Sequence, residues 1–212
     1  MPSTVVHLAV AALIAAALLE DAFGPRALAV VLAAAAIPDL DTFLGLAIPG
    51  AHRAALHTAL VPLALALLVA YDTRRRGTSW LRSRGAVALA WVAVTAYALA
   101  GIGPDLFTNG ANLLYPLQDR FYALSGNVLL SDQRGLVQTI WQPRPDPKGG
   151  TSSVVGTTET VHYSTGVDPT RGKAPENVER VFPVARGGLQ VLLILLALVV
   201  TTARLWRVRQ AR

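Results

Sequence analysis

The sequence predicts a mainly α fold: a polytopic membrane helix bundle of about five helices, with a small β-rich extracytoplasmic insertion. Three observations predict it. Hydrophobic residues make up 53% of the 212 and charged residues 15%, against about 25% charged in a typical soluble domain. Five apolar stretches occur, at residues 5–19, 27–37, 54–70, 86–102 and 189–202. The arginines are gathered at alternate ends of those stretches. Buried helices of a soluble all-α domain are the alternative, but five stretches with almost no interior charge would leave such a domain without a polar surface. The chain has no cysteine, which excludes disulfides, thiolate metal sites and a cysteine nucleophile.

A membrane helix needs about 20 apolar residues, within a range of about 17–25. The third and fourth stretches fit. The fifth fits once residues 184–188 are added. The first is short; with no Lys or Arg before Arg26 it lacks the basic start of a signal peptide and reads as a retained helix capped by Ser3 or Thr4. The second is short too, and lengthens if it continues through Pro38, Asp39, Leu40 and Asp41 into residues 42–47.

The arginines give the orientation. Arg26, then Arg74, Arg75, Arg76, Arg82 and Arg84, then Arg204, Arg207, Arg209 and Arg212 fall on one face; before residue 106 the other face holds only Arg53. The positive-inside rule makes the arginine face cytoplasmic, with the N-terminus outside, the C-terminus in the cytoplasm and the protein integral to the plasma (inner) membrane. The net charge of +6 is then a topology signal. No basic patch on a folded face points to nucleic acid, so the expected partner is the lipid bilayer.

The domain reading follows: residues 1–105 form a four-helix membrane region, 106–187 an extracytoplasmic cap, and 188–212 a final helix with a basic tail. Within the cap, residues 127–131 and 136–141 read as strands, 143–150 as a turn-rich breaker, and 152–164 as a strand or hairpin rich in Thr and Val. Residues 178–184 are a further strand candidate.

The unusual residues are polar ones at helix ends. His7 lies in the first turn of helix 1. Asp39 and Asp41 end or kink helix 2. His52 and His57 open helix 3, and Asp105 ends helix 4. In an up-and-down bundle all six fall on one face of the membrane. Three His and three Asp in one layer suit a divalent cation, zinc or manganese, which would relieve the repulsion of carboxylates near a low-dielectric region. A coordinated water then becomes a nucleophile near neutral pH, the basis of metal-assisted hydrolysis. As part of a helix first turn, His57 would see the positive helix end, which disfavours its protonation. Five positions apart on one straight helix, His52 and His57 would point about 140° apart; Pro49 and Gly50 suggest that His52 is still in the loop, so that both converge. Arg53 would bind an anionic substrate or brace a carboxylate. Each residue has a plainer reading: His7 as an interfacial cap, the Asp pair as turn carboxylates, His52 and His162 as solvated side chains. What those readings do not explain is the one-sidedness.

In order, Thr4-x-x-His7, Pro38-Asp39-x-Asp41, His52-Arg53-x-x-x-His57-Thr58 and Asp105-x-x-Thr108 through Leu113-Leu114-Tyr115-Pro116 resemble the YdjM-like family of LexA-binding, inner-membrane-associated metal-dependent hydrolases. The later part of the chain resembles an archaeal extension of it. The resemblance implies a helical membrane protein distantly similar to zinc-dependent phospholipase C. It makes His7, Asp39, Asp41, His52, His57 and Asp105 the metal candidates, with Asp41, His52 and Arg53 as candidates for catalysis. The implied substrate is a phosphoester or phospholipid-like molecule. One departure stands out: the family's His one turn before the last Asp is Gly101 here, beside Ile102. It leaves fewer metals, a replacement such as His162, or a site without turnover. The alternative is therefore a non-catalytic membrane protein with a structural or vestigial metal site. A transporter would put its charges near the bilayer midplane, whereas these sit at one end.

Overall fold

The structure, a computed structural model, describes residues 3–75, 79–124, 128–138, 144–145, 151–152, 154–170 and 176–211. Helix α1 (Thr4–Leu18) begins where the Ser3 hydroxyl accepts a hydrogen bond from the Val6 N–H at 3.3 Å, satisfying one of the free amides of a helix start. A single turn at Glu20–Ala22 reverses the chain. Helix α2 (Pro25–Ala36) starts on a proline, whose fixed φ suits that position. It stops at Pro38, which has no N–H to continue the ladder. A 3-10 turn (Pro38–Leu40) and α3 (Asp41–Gly45) follow after a 46° bend.

Helix α4 covers Leu60–Arg74. Helix α5 (Arg84–Ala96) is capped by Ser83, widens into a π turn (Tyr97–Ile102) and ends as the short α6 (Gly103–Leu106). Strands β1 (Phe121–Tyr122), β2 (Val128–Ser131), β3 (Gly135–Gln138), β4 (Arg144–Pro145), β5 (Thr151–Ser152) and β6 (Val154–Gly156) form three two-stranded antiparallel ladders, β1 with β6, β2 with β3 and β4 with β5. Helix α7 (Gly188–Gln210) closes the chain.

Helices α1, α2 and α5 meet through Ala11, Ala15, Val31, Ala35, Ala96 and Ala100. Small side chains let the backbones approach closely, which is how helices associate where lipid removes the hydrophobic incentive. Helix α7 touches α1 through Ala197, against Ala9 and Ala12. Its Leu192, Leu195, Leu198 and Val199 are exposed, as a lipid-facing surface would be. Two contacts fix the ends of this pair: Ser3 donates to the Val184 carbonyl, and at the other end Arg204 donates to the Glu20 carbonyl at 3.0 Å. Helices α1 and α7 therefore run parallel, with the arginine-rich tail at the end away from His7.

The fold is mainly helical with a small strand region. Among the described residues, two helices are long and apolar enough to cross a membrane, Arg84–Leu106 and Gly188–Gln210, and a third span exists if the bent pair Pro25–Ala36 and Pro38–Gly45 is one. At 15 residues each, α1 and α4 fall below the roughly 17-residue minimum for a span normal to the bilayer.

Several local expectations are corrected. Residues 51–59 are not helical, and the third helix starts at Leu60 rather than Ala54; side-chain and backbone polar groups of this loop are engaged elsewhere, as described below. Strand structure in 152–164 is confined to short pieces ending at Gly156, because a turn at residues 157–160 interrupts it, closed by Thr160 N–H donating to the Thr157 carbonyl at 3.1 Å. Residues 178–184 form no strand; they run as an irregular segment into α7. Residues 139–143 and 146–150, with much of the expected breaker and the end of the second strand, lie outside the described residues, as do Asn127 and Arg76.

Candidate metal centre

Three interruptions of regular helix build the site. The first is the bend at Pro38, which turns Asp39 and Asp41 out of the α2 axis. The second is the loop 51–59. Its turning point is Arg53, whose φ of +63° is unusual for a residue with a Cβ. That conformation is held from several sides. The Asn112 N–H donates to the Arg53 carbonyl at 3.0 Å, the guanidinium donates to Asp105 Oδ1 and stacks at 4.6 Å on the Tyr163 ring, and Asn112 is itself held by Asp119 at 2.7 Å.

The third interruption is the π turn. In an α-helix the Ala100 carbonyl would accept from the N–H four residues on, but residue 104 is proline and has none. His7 Nδ1 takes that place at 2.5 Å. A carbonyl only accepts, so Nδ1 carries the hydrogen, and in the neutral ring Nε2 presents its lone pair.

That lone pair points at carboxylates. His7 Nε2 lies 3.7 Å from Asp105 Oδ2, and His7, Asp39 and Asp105 each offer a ligand atom within 4.8 Å of the others. His57 Nε2 lies 2.9 Å from Asp105 Oδ2 and 3.7 Å from Asp39 Oδ1. Thr4 donates to the other Asp39 oxygen at 2.5 Å.

Asp41 stands behind this group. Its Oδ2 accepts from His57 Nδ1 at 2.8 Å and from the Leu56 N–H at 3.3 Å, and its Oδ1 accepts from His52 Nδ1 at 2.9 Å. Thr42 Oγ1 is also 2.8 Å from His52 Nδ1. The Tyr97 hydroxyl donates to the Leu56 carbonyl at 2.7 Å. Asp41 thus holds the Nδ1–H of two imidazoles, as second-layer carboxylates do around metals. His52 Nε2 is buried and has no hydrogen-bond partner among the described residues.

His57 does not sit in a helix first turn, so the expected helix-end effect on its protonation does not operate. Burial disfavours its charge, but the Asp41 and Asp105 carboxylates on either side outweigh that and raise its pKa to about 10.

The donor set fits a divalent cation. Three carboxylates, one guanidinium and a His57 protonated at neutral pH leave a formal charge of −1; a dication would take the place of the His57 Nε2 proton, and Asp41, Asp105, His7 and His57 are buried. An uncompensated charge of this size is costly in a low-dielectric interior, and nitrogen and carboxylate ligands suit zinc or manganese. The structure therefore brings His7, Asp39 and Asp105 together around one point, with His57 beside Asp39 and Asp105, Asp41 and His52 one layer behind and Arg53 bracing Asp105.

Gly101 is explained by packing. A Cβ there would lie 2.8 Å from Pro38 Cγ and 2.9 Å from the Ala35 carbonyl oxygen, so no side chain fits unless the Pro38 bend moves. His162 is half-buried beside Asp168, 3.9 Å away, rather than solvated; it is not part of the His7–Asp39–Asp105 group. Sequence reasoning placed Asn112 as a supporting or turn residue after Asp105, which fits its bond to Arg53, and left Tyr97, Asp119 and Tyr163 out of the site. Their roles depend on contacts 39 to 54 positions away in the chain or on a ring face, and no local spacing encodes those.

A cavity of about 490 Å³ reaches the site. Asp39, His52, Arg53 and Asp105 line its polar part, and Leu40, Phe43, Val181 and Phe182 its apolar part.

A family model described as "YdjM inner membrane protein" matches residues 1–208. No curated protein and no solved structure matches the chain.

Proposed function

The chain belongs to the YdjM family of inner membrane proteins, and on that premise we propose that it is a membrane-bound, metal-dependent hydrolase of phosphoesters. The observation that carries the reading is a pair of imidazoles each held through Nδ1. His7 Nδ1 is held by the Ala100 carbonyl and His57 Nδ1 by Asp41, so both Nε2 atoms face Asp39 and Asp105. A dication held by His7, Asp39, His57 and Asp105 would supply Lewis-acid polarisation and activation of water.

The chain's own residues do the rest. Asp41 holds the Nδ1–H of His52, which leaves Nε2 as the proton acceptor for an attacking water. The water oxygen bonds to phosphorus, the ester P–O bond breaks, and the proton collected by His52 passes to the leaving alcohol oxygen. Arg53 holds Asp105 in place through their ion pair. The site end of the bundle lies on the extracytoplasmic side and the arginine-rich end in the cytoplasm, following the arginine distribution.

A second reading, a structural metal site without turnover, is favoured by Gly101, where packing against Pro38 excludes the family's histidine. Metal analysis of the purified full chain, with a panel of phosphodiesters and phosphomonoesters, separates the two. Turnover that requires zinc or manganese supports the hydrolase. Stoichiometric metal with no turnover on any member of the panel selects the second reading, and a protein that takes up no divalent metal refutes both.

A further inference from the structure

Resting on the hydrolase reading, we propose that the ligand of this cavity is a membrane phospholipid that enters sideways from the bilayer, its phosphate toward the metal group and the start of its acyl chains between residues 40–43 and 181–184. The cavity has two chemical halves. The inner half is lined by Asp39, His52, Arg53 and Asp105. The outer half is lined by Leu40, Phe43, Val167, Val181, Phe182 and Val184. Phe43 and Phe182 remain 57% and 67% exposed, which is costly in water and favourable against hydrocarbon. A pocket for a small polar phosphoester has no use for such a wall.

Position supports the same ligand. One wall, residues 181–184, runs directly into α7, whose apolar span starts at Gly188. The other wall, Leu40 and Phe43, belongs to the second limb of the bent apolar pair Pro25–Ala36 and Pro38–Gly45. The cavity is therefore continuous with the surface that faces lipid, at the level where α7 enters it. Arg186 lines the cavity two residues before that entry, where a cation meets phosphate headgroups.

The 181–184 wall is braced against residues 166–167. Arg180 Nη1 donates to the Gly166 and Val167 carbonyls at 3.1 Å each. Phe182 lies over Gly166, where an added Cβ would come within 2.5 Å of the ring. The apolar half is thus a built surface that does not depend on a single side chain.

The test uses the full chain in phosphatidylcholine nanodiscs containing a trace of non-hydrolysable phosphonate lipid with a diazirine in the proximal acyl chain. After illumination, peptides are mapped by mass spectrometry, with zinc bound and after chelation. The expected result is an adduct yield on residues 40–44 and 181–184 about tenfold above that on the lipid-facing residues 195–199 of α7, falling toward the α7 level when the metal is removed. Phe43→Asp and Phe182→Asp, both at exposed positions, should each lower it while bound zinc stays unchanged. Equal labelling of the cavity walls and α7, or labelling that ignores both the metal and the two substitutions, overturns the proposal. The outcomes separate from those of the hydrolase test. Hydrolysis of water-soluble phosphodiesters without wall labelling keeps the hydrolase and sinks the lipid. Metal-dependent wall labelling without hydrolysis keeps the lipid as ligand and sinks the hydrolase.

Discussion

Asp41 serves two histidines with two oxygens, and replacing it separates their roles. In Asp41→Ala both imidazoles lose the acceptor that fixes their Nδ1 hydrogen. Loss of such an outer carboxylate costs about 10- to 100-fold in metal affinity, or about 1.4–2.7 kcal/mol. Asp41→Asn is more selective. The amide has one acceptor oxygen, and two donors compete for it on the His57 side, the His57 Nδ1–H and the Leu56 N–H. The oxygen stays there, so the NH2 group faces His52 and turns that ring to the tautomer with hydrogen on Nε2. His57 keeps its geometry, and the metal loss should fall at the low end of the same range, near about tenfold, from the lost charge. His52 can no longer accept a proton, and turnover should fall by about 100-fold or more, the usual worth of a general base. Competition against a chromophoric zinc chelator, followed by phosphodiester hydrolysis at saturating metal, reads both numbers on the same sample. An Asp41→Ala protein with unchanged zinc affinity would refute the outer-carboxylate role. An Asp41→Asn protein with unchanged turnover at saturating zinc would remove His52 as the base.

Three further outcomes are expected. Gly101→Ala forces a Cβ against Pro38 and the Ala35 carbonyl. Overpacking of this kind costs about 1–3 kcal/mol, partly offset by up to about 1 kcal/mol of helix propensity. Thermal unfolding in detergent should show a lower midpoint, and an unchanged midpoint would mean that the Pro38 bend yields freely. Tyr163→Phe keeps the ring under the Arg53 guanidinium and loses only the 2.9 Å bond to the Asn109 carbonyl, whereas Tyr163→Leu removes the aromatic face as well; the difference between the two midpoints reports the stacking, about 0.5–2 kcal/mol, and equal midpoints would show that it contributes nothing. Asp72 accepts from the backbone N–H groups of Trp80 and Leu81 and from Ser79, which holds its pKa below the ordinary 3.8. A depressed carboxylate stabilises the fold above its unfolded pKa and loses that contribution as pH falls through the folded value, so the stability gap between the parent and Asp72→Asn should be full at neutral pH and shrink in acid. A gap that does not change with pH would contradict this.

Helix existence was legible in the sequence because it depends on local pattern. The long apolar stretches, Ser3 ahead of α1, Pro25 at the start of α2 and Pro38 at its end are each decided within a few residues. Boundaries that answer to distant partners were not legible. Residues 54–59 have helix-forming composition, yet Asp41 and the Leu113 carbonyl engage their side chains and backbone instead. The strand region misled for a related reason: the Thr- and Val-rich segment after Gly156 alternates like a strand, but Thr158 is bound to Asp119 and the chain turns there.

The site divides in the same way. That His7, Asp39, Asp41, His52, His57 and Asp105 are polar residues at the ends of apolar segments follows from the sequence alone. Which of them face a common point, and which stand behind, was settled by contacts between chain positions up to 98 residues apart, as in His7 and Asp105. The missing amide of Pro104 and the absent side chain of Gly101 acquire meaning only once α1 and the Pro38 bend are packed against the π turn. Chemistry is carried by residue type and can be read along the chain; a coordination geometry depends on distances across the bundle, and only packing determines those.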